Sequence, residues 1–313
     1  MSVPPARSVL DAIGNTPIVE LRRIVPRDCA RVIVKLESAN PTGSMKDRMA
    51  RAIVERAAAA GRLPPGGTVV EYTAGTTGIS LAFVCSALGF KAHFVFSDAF
   101  SDEKRYTMRA YGGEITDVPS DNGKITEHLI KTMIATAGEI SRRPEHWWAD
   151  QLNNQDGETG YHSLGEEIWV QTGGRVNAFV QAVSTAHSIH GTARALRRHD
   201  PHVRVVAVEP AESAVLSGEP SGSHQIEGIG IGFIPPLWKP DEVDEILTVT
   251  TAEAKAMARR LAKEEAIFAG PSTGANVAGA LRIAERLGPD ATVVTIVVDS
   301  GLRYSSTDVF RSV

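Results

Sequence analysis

The chain has 313 residues, 42 per cent apolar and 22 per cent charged, with a formal net charge of −4. That length carries one large domain or two compact ones, and a mildly acidic balance without a basic block argues against nucleic acid as a partner. No run is long enough to span a membrane, the N-terminal segment lacks the apolar core of a secretion signal, and the two cysteines, Cys29 and Cys85, suit buried small hydrophobes better than a disulfide framework.

Short β-branched runs alternate with helical stretches. RVIVKLE (31–37) reads as a strand, and SMKDRMARAIVERAAAAG (44–61) as a helix with Met49, Ala50, Ile53, Val54 and Ala57 on one face. LPPGG stops that helix. TVVEY (68–72) is a strand, TAGTTG (73–78) a loop, ISLAFVCSALG a helix closed by Gly89, and KAHFVFS (91–97) the next strand. Further on, NAFVQAV (177–183), VRVVAVEP (203–210) and TVVTIVV (292–298) read as strands. TARALRRH and TAEAKAMARRLAKEEA (251–266) read as helices. Strand–loop–helix repetition with apolar strands predicts an α/β fold, its parallel sheets covered on both faces. Two clusters of such units suggest two domains, with a boundary near 145–160.

In such folds ligands sit on loops at the carboxyl ends of strands. The first candidate loop is NPTGSMK, where Ser44 and Asp47 have capping-box spacing and Lys46 falls in the first helical turn. The positive end of the helix dipole disfavours an ammonium there, and neutral amine is the nucleophilic form of lysine. Two readings fit, a solvated lysine beside Asp47 and a Schiff-base lysine, and the loop alone favours the solvated one.

TAGTTG has glycines that let backbone approach a ligand and amides at a helix start that suit an anion. It also fits an ordinary tight turn. STAHSIHG (184–191) offers hydroxyls from Ser184, Thr185 and Ser188, while His187 reads either as a proton or charge donor or as a solvent-facing loop histidine. AGPSTGAN (269–276) sets Ser272 at another helix start, where simple N-capping is the ordinary explanation. EGIGIGF (227–233) is glycine-rich but lacks dinucleotide-fingerprint spacing. No P-loop, convincing zinc-ligand spacing or G-x-S-x-G elbow is present, so no metal is expected. Trp147–Trp148 reads as core or interface.

Taken in order and spacing, these loops resemble the cysteine synthase family of pyridoxal-phosphate enzymes (fold type II, tryptophan synthase β-like). That family includes O-acetylserine and O-phosphoserine sulfhydrylases and cystathionine β-synthase. The resemblance runs from IGNTPIVEL (13–21) to DSGLRYSST (299–307). It implies two three-layer α/β/α domains with mainly parallel sheets and pyridoxal 5'-phosphate in the cleft between them. Residues 40–150 would form a mobile N-terminal domain, and 11–39 plus 151–313 the cofactor-binding domain.

The resemblance also implies roles. Lys46 matches the Schiff-base lysine, TAGTTG (Thr73, Ala74, Gly75, Thr76, Thr77) the loop for the substrate carboxylate and the cofactor's ring oxygen, and Gln151 a glutamine that helps hold that carboxylate. Ser184, Thr185, Ala186, His187 and Ser188 match the phosphate cradle, Gly228 in GIG a backbone segment lining the site, and Ser272 the serine at the pyridine nitrogen. The chain departs from the family pattern at two loops. The usual T-S-G-N-T-G becomes TAGTTG, losing a hydroxyl at Ala74 and an asparagine amide at Thr76. The usual G-T-G-G-T becomes STAHS, with bulk at Ala186 and His187.

The implied activity is β-replacement on an activated serine, O-acetyl-L-serine or O-phospho-L-serine, through an aminoacrylate, with a small nucleophile as second substrate. Homodimers and a cytoplasmic location are expected. Three other readings fit the altered loops: specialised β-replacement making a non-protein amino acid, a β-eliminating lyase or desulfhydrase, and a non-catalytic relative that binds a partner protein.

Overall fold

A computed structural model describes residues 7–311. The described strands are β1 (Ile18–Glu20), β2 (Arg31–Leu36), β3 (Thr68–Tyr72), β4 (Lys91–Ser97), β5 (Glu114–Val118), β6 (His146–Trp148), β7 (Ala178–Ala182), β8 (Arg204–Pro210), β9 (Glu245–Val249) and β10 (Thr292–Val297). They form two sheets, one ordered β1-β2-β10-β7-β8-β9 and the other β5-β4-β3-β6. All pairings are parallel except β1 with β2. The central strands β3, β7 and β10 are buried at every position, as the unbroken apolar runs require when helices cover both faces.

The helices are α1 (Lys46–Ala59), α2 (Thr76–Leu88), α3 (Asp102–Ala110), α4 (Glu127–Ile140), α5 (Asp156–Thr159), α6 (His162–Gln171), α7 (His187–His199), α8 (Thr251–Glu265), α9 (Pro271–Leu287) and α10 (Asp308–Arg311). In α1 the face read from the sequence is the buried one: Met49, Ala50, Ile53, Val54 and Ala57 have no exposed surface. Burying five such side chains contributes several kcal/mol, at roughly 25 cal/mol per Å² of apolar surface. A larger core spans both sheets, and a second lies under the outer face of the six-stranded sheet, between β2, β7, β8, β10 and helices α8 and α9.

Several elements differ from expectation. Helices α2 and α7 begin at Thr76 and His187, inside the loops, because their first turns are built from polar residues that periodicity does not register. Strands β5, β6 and β9 are short and only partly buried, so they carry weak alternation. Trp147 and Trp148 lie on β6, half-buried, with the Arg62 guanidinium over the Trp147 ring at 5.8 Å. Both cysteines are free thiols; Cys85 is buried, which pushes it up to about 12, and Cys29 is half-buried. No helix among the described residues is long and apolar enough to cross a membrane.

Candidate active site

Sheet order explains why distant loops meet. β2, β10 and β7 are neighbours, so the segments leaving their carboxyl ends line up along one edge. These segments carry Lys46, Asp299 and Ser184–Ser188. In the other sheet β3 and β6 are neighbours, which sets TAGTTG beside Gln151. The backbone bridge between Ser44 and Asp299 ties the Lys46 loop to the end of β10, and a second bridge, Ala269 with Ser300, brings the start of α9 and Ser272 to the same place.

Lys46 opens α1 and is 7 per cent exposed. Burial pushes its ammonium down to about 8, while the nearby Asp299 carboxylate pulls the other way. The expected capping box does not form. Ser44 Oγ accepts from the Lys46 N–H at 3.2 Å, and the N-cap position belongs to Met45. Asp47 is instead drawn inward, where its carboxylate accepts from Thr42 N–H at 2.8 Å and from the hydroxyls of Thr42 and Ser80. Those bonds tie the loop before Lys46 to α2, and Lys46 is a buried amine rather than a solvated one.

In TAGTTG, Thr73 is fully buried and its hydroxyl accepts from the N–H groups of Gly75 and Gly78, at 2.9 and 3.0 Å. It therefore shapes the loop. Gly75 has φ +115°, a region hostile to side chains, and an added Cβ would lie 2.3 Å from Lys104 Cδ. Thr77 donates to Gln151 Oε1 at 2.9 Å, and Gln151 Nε2 donates to the Tyr72 carbonyl at 2.9 Å. Glu71, buried and pushed up to about 8 by desolvation, accepts from the Gln151 N–H at 2.9 Å. Ala74 is partly buried and contributes only backbone. The Thr76 hydroxyl lies 3.4 Å from Asp299 Oδ2.

The segment 184–188 turns through Ala186, whose φ of +70° is left-handed although it carries a Cβ, a strain of about 1 kcal/mol. His187 corrects the sequence reading. It is 1 per cent exposed, its Nε2 lies 2.9 Å from the Asn154 carbonyl, and its Nδ1 lies 3.0 Å from the Thr185 hydroxyl. Burial, aided by the Lys46 charge, pushes it down to about 3. It is neither solvent-facing nor a source of positive charge near neutral pH. Ser188 Oγ accepts from the Gln181 amide, which keeps its own proton free. Ser184 is half-buried at the mouth of the turn.

The GIG segment is held against this turn: the Gly230 N–H donates to the Val183 carbonyl at 3.0 Å, and His224 Nε2 donates to the Gly230 carbonyl at 2.7 Å. Gly228, φ +91°, has open space where a Cβ would be. Ser272 is 1 per cent exposed in the first turn of α9, and its neighbour Thr273 accepts from the Val298 N–H at 3.0 Å.

Sequence reasoning missed Asp299, Tyr304, Lys104 and Glu227. The Tyr304 hydroxyl donates to Asp299 Oδ2 at 2.8 Å, and Lys104 is paired with Glu227. The available signal was that Asp299, Tyr304 and Glu227 follow β10 and β8 and that Lys104 lies in the first turn of α3, after β4. Two buried oxygens here, Gln181 Oε1 and Asp299 Oδ1, have no partner. An unpaired buried oxygen is costly in a sealed core and ordinary where a polar ligand sits. A buried amine of lowered basicity, amides at the start of α7 and hydroxyls at Ser184, Ser188 and Ser272 match an aldehyde that carries a phosphate and a pyridine ring.

Comparison with known proteins agrees. A family model described as "Pyridoxal-phosphate dependent enzyme" matches residues 9–299. The cysteine synthase of Staphylococcus aureus (strain Mu50 / ATCC 700699) is 39% identical over 312 residues, 99% of this chain and 99% of that protein. A crystal structure of O-ureido-L-serine synthase has a TM-score of 0.92 at 39% identity, over 99% of this chain and 96% of that one. Cysteine synthase from Entamoeba histolytica has a TM-score of 0.90 at 36% identity, over 99% and 94%. With nearly its whole length matched, the chain belongs to the pyridoxal-phosphate dependent enzymes of the cysteine synthase fold.

Proposed function

We propose that this enzyme is a cysteine synthase of the sulfhydrylase type. It replaces the β-substituent of an activated serine with a small nucleophile such as sulfide, and works as a cytoplasmic homodimer. The observation that carries the reading is Lys46, a buried amine brought down to about 8 within reach of Asp299 and of His187 in the 184–188 turn. Residues 11–39 plus 151–313 would form the cofactor-binding domain, and residues 40–150 the domain that moves over the substrate.

Lys46 would hold the cofactor, the serines 184 and 188 with the amides of 185–188 its phosphate, and Ser272 its ring nitrogen. When bound, the cofactor supplies an electron sink for the substrate's α-carbon. The chain's own residues do the rest. Gln151, whose amide is oriented by Thr77 and the Tyr72 carbonyl and keeps one N–H free, and the amides of TAGTTG grip the substrate carboxylate. Lys46, neutral in a substantial fraction near pH 8, takes the α-proton as the Cβ–O bond breaks and acetate or phosphate leaves. After the nucleophile bonds to Cβ, Lys46 returns the proton to Cα. Closure of the 73–78 loop excludes water, which limits hydrolytic loss.

The test is the visible spectrum and product profile of the purified protein with O-acetyl-L-serine and sulfide. Cysteine and acetate in equal amounts support the reading. Pyruvate and ammonia would make it an eliminating lyase, and failure to take up cofactor would overturn the enzyme reading. Lys46→Ala should lower turnover by at least about 10³-fold, because the proton carrier itself is gone.

A further inference from the structure

Lys104 is an unusual lysine. It lies on α3, 1 per cent exposed, with its stem against the Cα of Gly75 in the substrate loop. Its ammonium pairs with Glu227, the residue before the GIG segment, and stacks over the Tyr304 ring at 4.7 Å. It is thus a buried cation beside the substrate loop whose charge is already spent. Glu227 in turn lines a cavity of about 360 Å³ with Asn122, Ser223 and Gln225.

The other charges nearby do not change the balance. Asp299, hydrogen-bonded to Tyr304 and Thr76, adds a carboxyl group. Arg303, also buried, opposes the Asp299 carboxyl, donates to the Thr42 carbonyl and lines a different cavity, with Ser38, Asn40 and Thr42. Lys124, on the rim of the Glu227 cavity, is exposed, so water and salt screen it. Lys46 is committed to the chemistry.

A phosphate ester entering this site would bring up to two negative charges to a place where the buried cations Lys104 and Arg303 already face the carboxyl groups of Glu227 and Asp299. In a water-poor site such like-charge contacts are costly. An acetyl ester has no charge to accommodate.

We propose that Glu227 sets leaving-group specificity: by holding Lys104 in an ion pair it denies a phosphate its counter-charge, so the site takes an activated serine with an uncharged β-substituent and discriminates against O-phospho-L-serine. The inference rests on the β-replacement reading and deepens it.

The test measures kcat/KM of the holoenzyme for O-acetyl-L-serine and O-phospho-L-serine, each with sulfide, in wild type, Glu227→Gln, Lys104→Met and the double variant. Wild type should favour the acetyl ester. Glu227→Gln frees the ammonium and should raise the phospho-to-acetyl ratio by about tenfold or more, the effect of one charge-assisted hydrogen bond. In the double variant the gain should vanish. Inorganic phosphate should inhibit Glu227→Gln more strongly than wild type, and Glu227→Ala repeats the test should the glutamine variant fold poorly. Equal use of both esters by wild type, an unchanged ratio in Glu227→Gln, or a gain that survives removal of Lys104 would overturn the inference and leave the β-replacement reading standing. Turnover of neither ester by wild type would overturn both.

Discussion

His187 Nε2 stands 2.9 Å from the backbone carbonyl of Asn154, and this one contact decides how the neighbouring hydroxyls are wired. A carbonyl only accepts, so Nε2 carries the proton and Nδ1 must accept from Thr185, 3.0 Å away. Thr185 has then spent its only proton inside the protein, whereas Ser188, which accepts from Gln181, still has one to give.

The consequence is an unequal cradle. Ser188→Ala should weaken pyridoxal-phosphate binding to the apoprotein about tenfold, the loss of a hydrogen bond to a charged group. Thr185→Val should change affinity less than about threefold and lower thermal stability instead, because it strands the buried His187 Nδ1. An absorbance titration of apoprotein with cofactor, paired with thermal unfolding, separates the two. Equal losses of affinity would refute this wiring.

The Thr77–Gln151 bond makes a prediction about substrate rather than cofactor. Thr77→Val leaves Gln151 Oε1 buried without its donor. We expect a five- to tenfold loss in kcat/KM for the amino-acid substrate, corresponding to about 1–1.4 kcal/mol, with the cofactor spectrum unchanged. Steady-state kinetics and the visible spectrum check both halves.

Glu71 gives stability an uncommon pH dependence. Its ordinary value is 4.5 and burial pushes it up to about 8. Between those values the folded chain holds a proton that the unfolded chain has lost. The contribution is full below about 4.5 and is lost as pH rises through 8, with an upper bound on the order of 5 kcal/mol for this group. Glu71→Gln, neutral at every pH and still able to accept from the Gln151 N–H, should flatten the fall in unfolding free energy between pH 5 and 8.5. Urea titrations at several pH values measure it, and parallel curves for the two proteins would sink the assignment.

Much was legible in the chain itself. The short β-branched and aromatic runs at 68–72, 91–97 and 292–298 read as strands and are strands, and the face of α1 follows from a 3.6-residue period. Periodicity and turn chemistry are local properties, so the sequence alone determined an α/β fold and the loops to watch, and the order of those loops carried the family resemblance. What it could not determine was pairing across the chain. The parallel order β2-β10-β7 brings residues 46, 184–188 and 299 together although up to 253 positions separate them, and no local pattern encodes that neighbourhood. Only the tertiary structure turned Asp47 inward to Thr42 and Ser80, removed His187 from solvent and neutralised it, and spent the charge of Lys104 on Glu227. Each of these depends on burial and on partners supplied by distant segments. A residue's protonation and the direction of its hydrogen bonds are properties of its surroundings, and the fold supplies the surroundings.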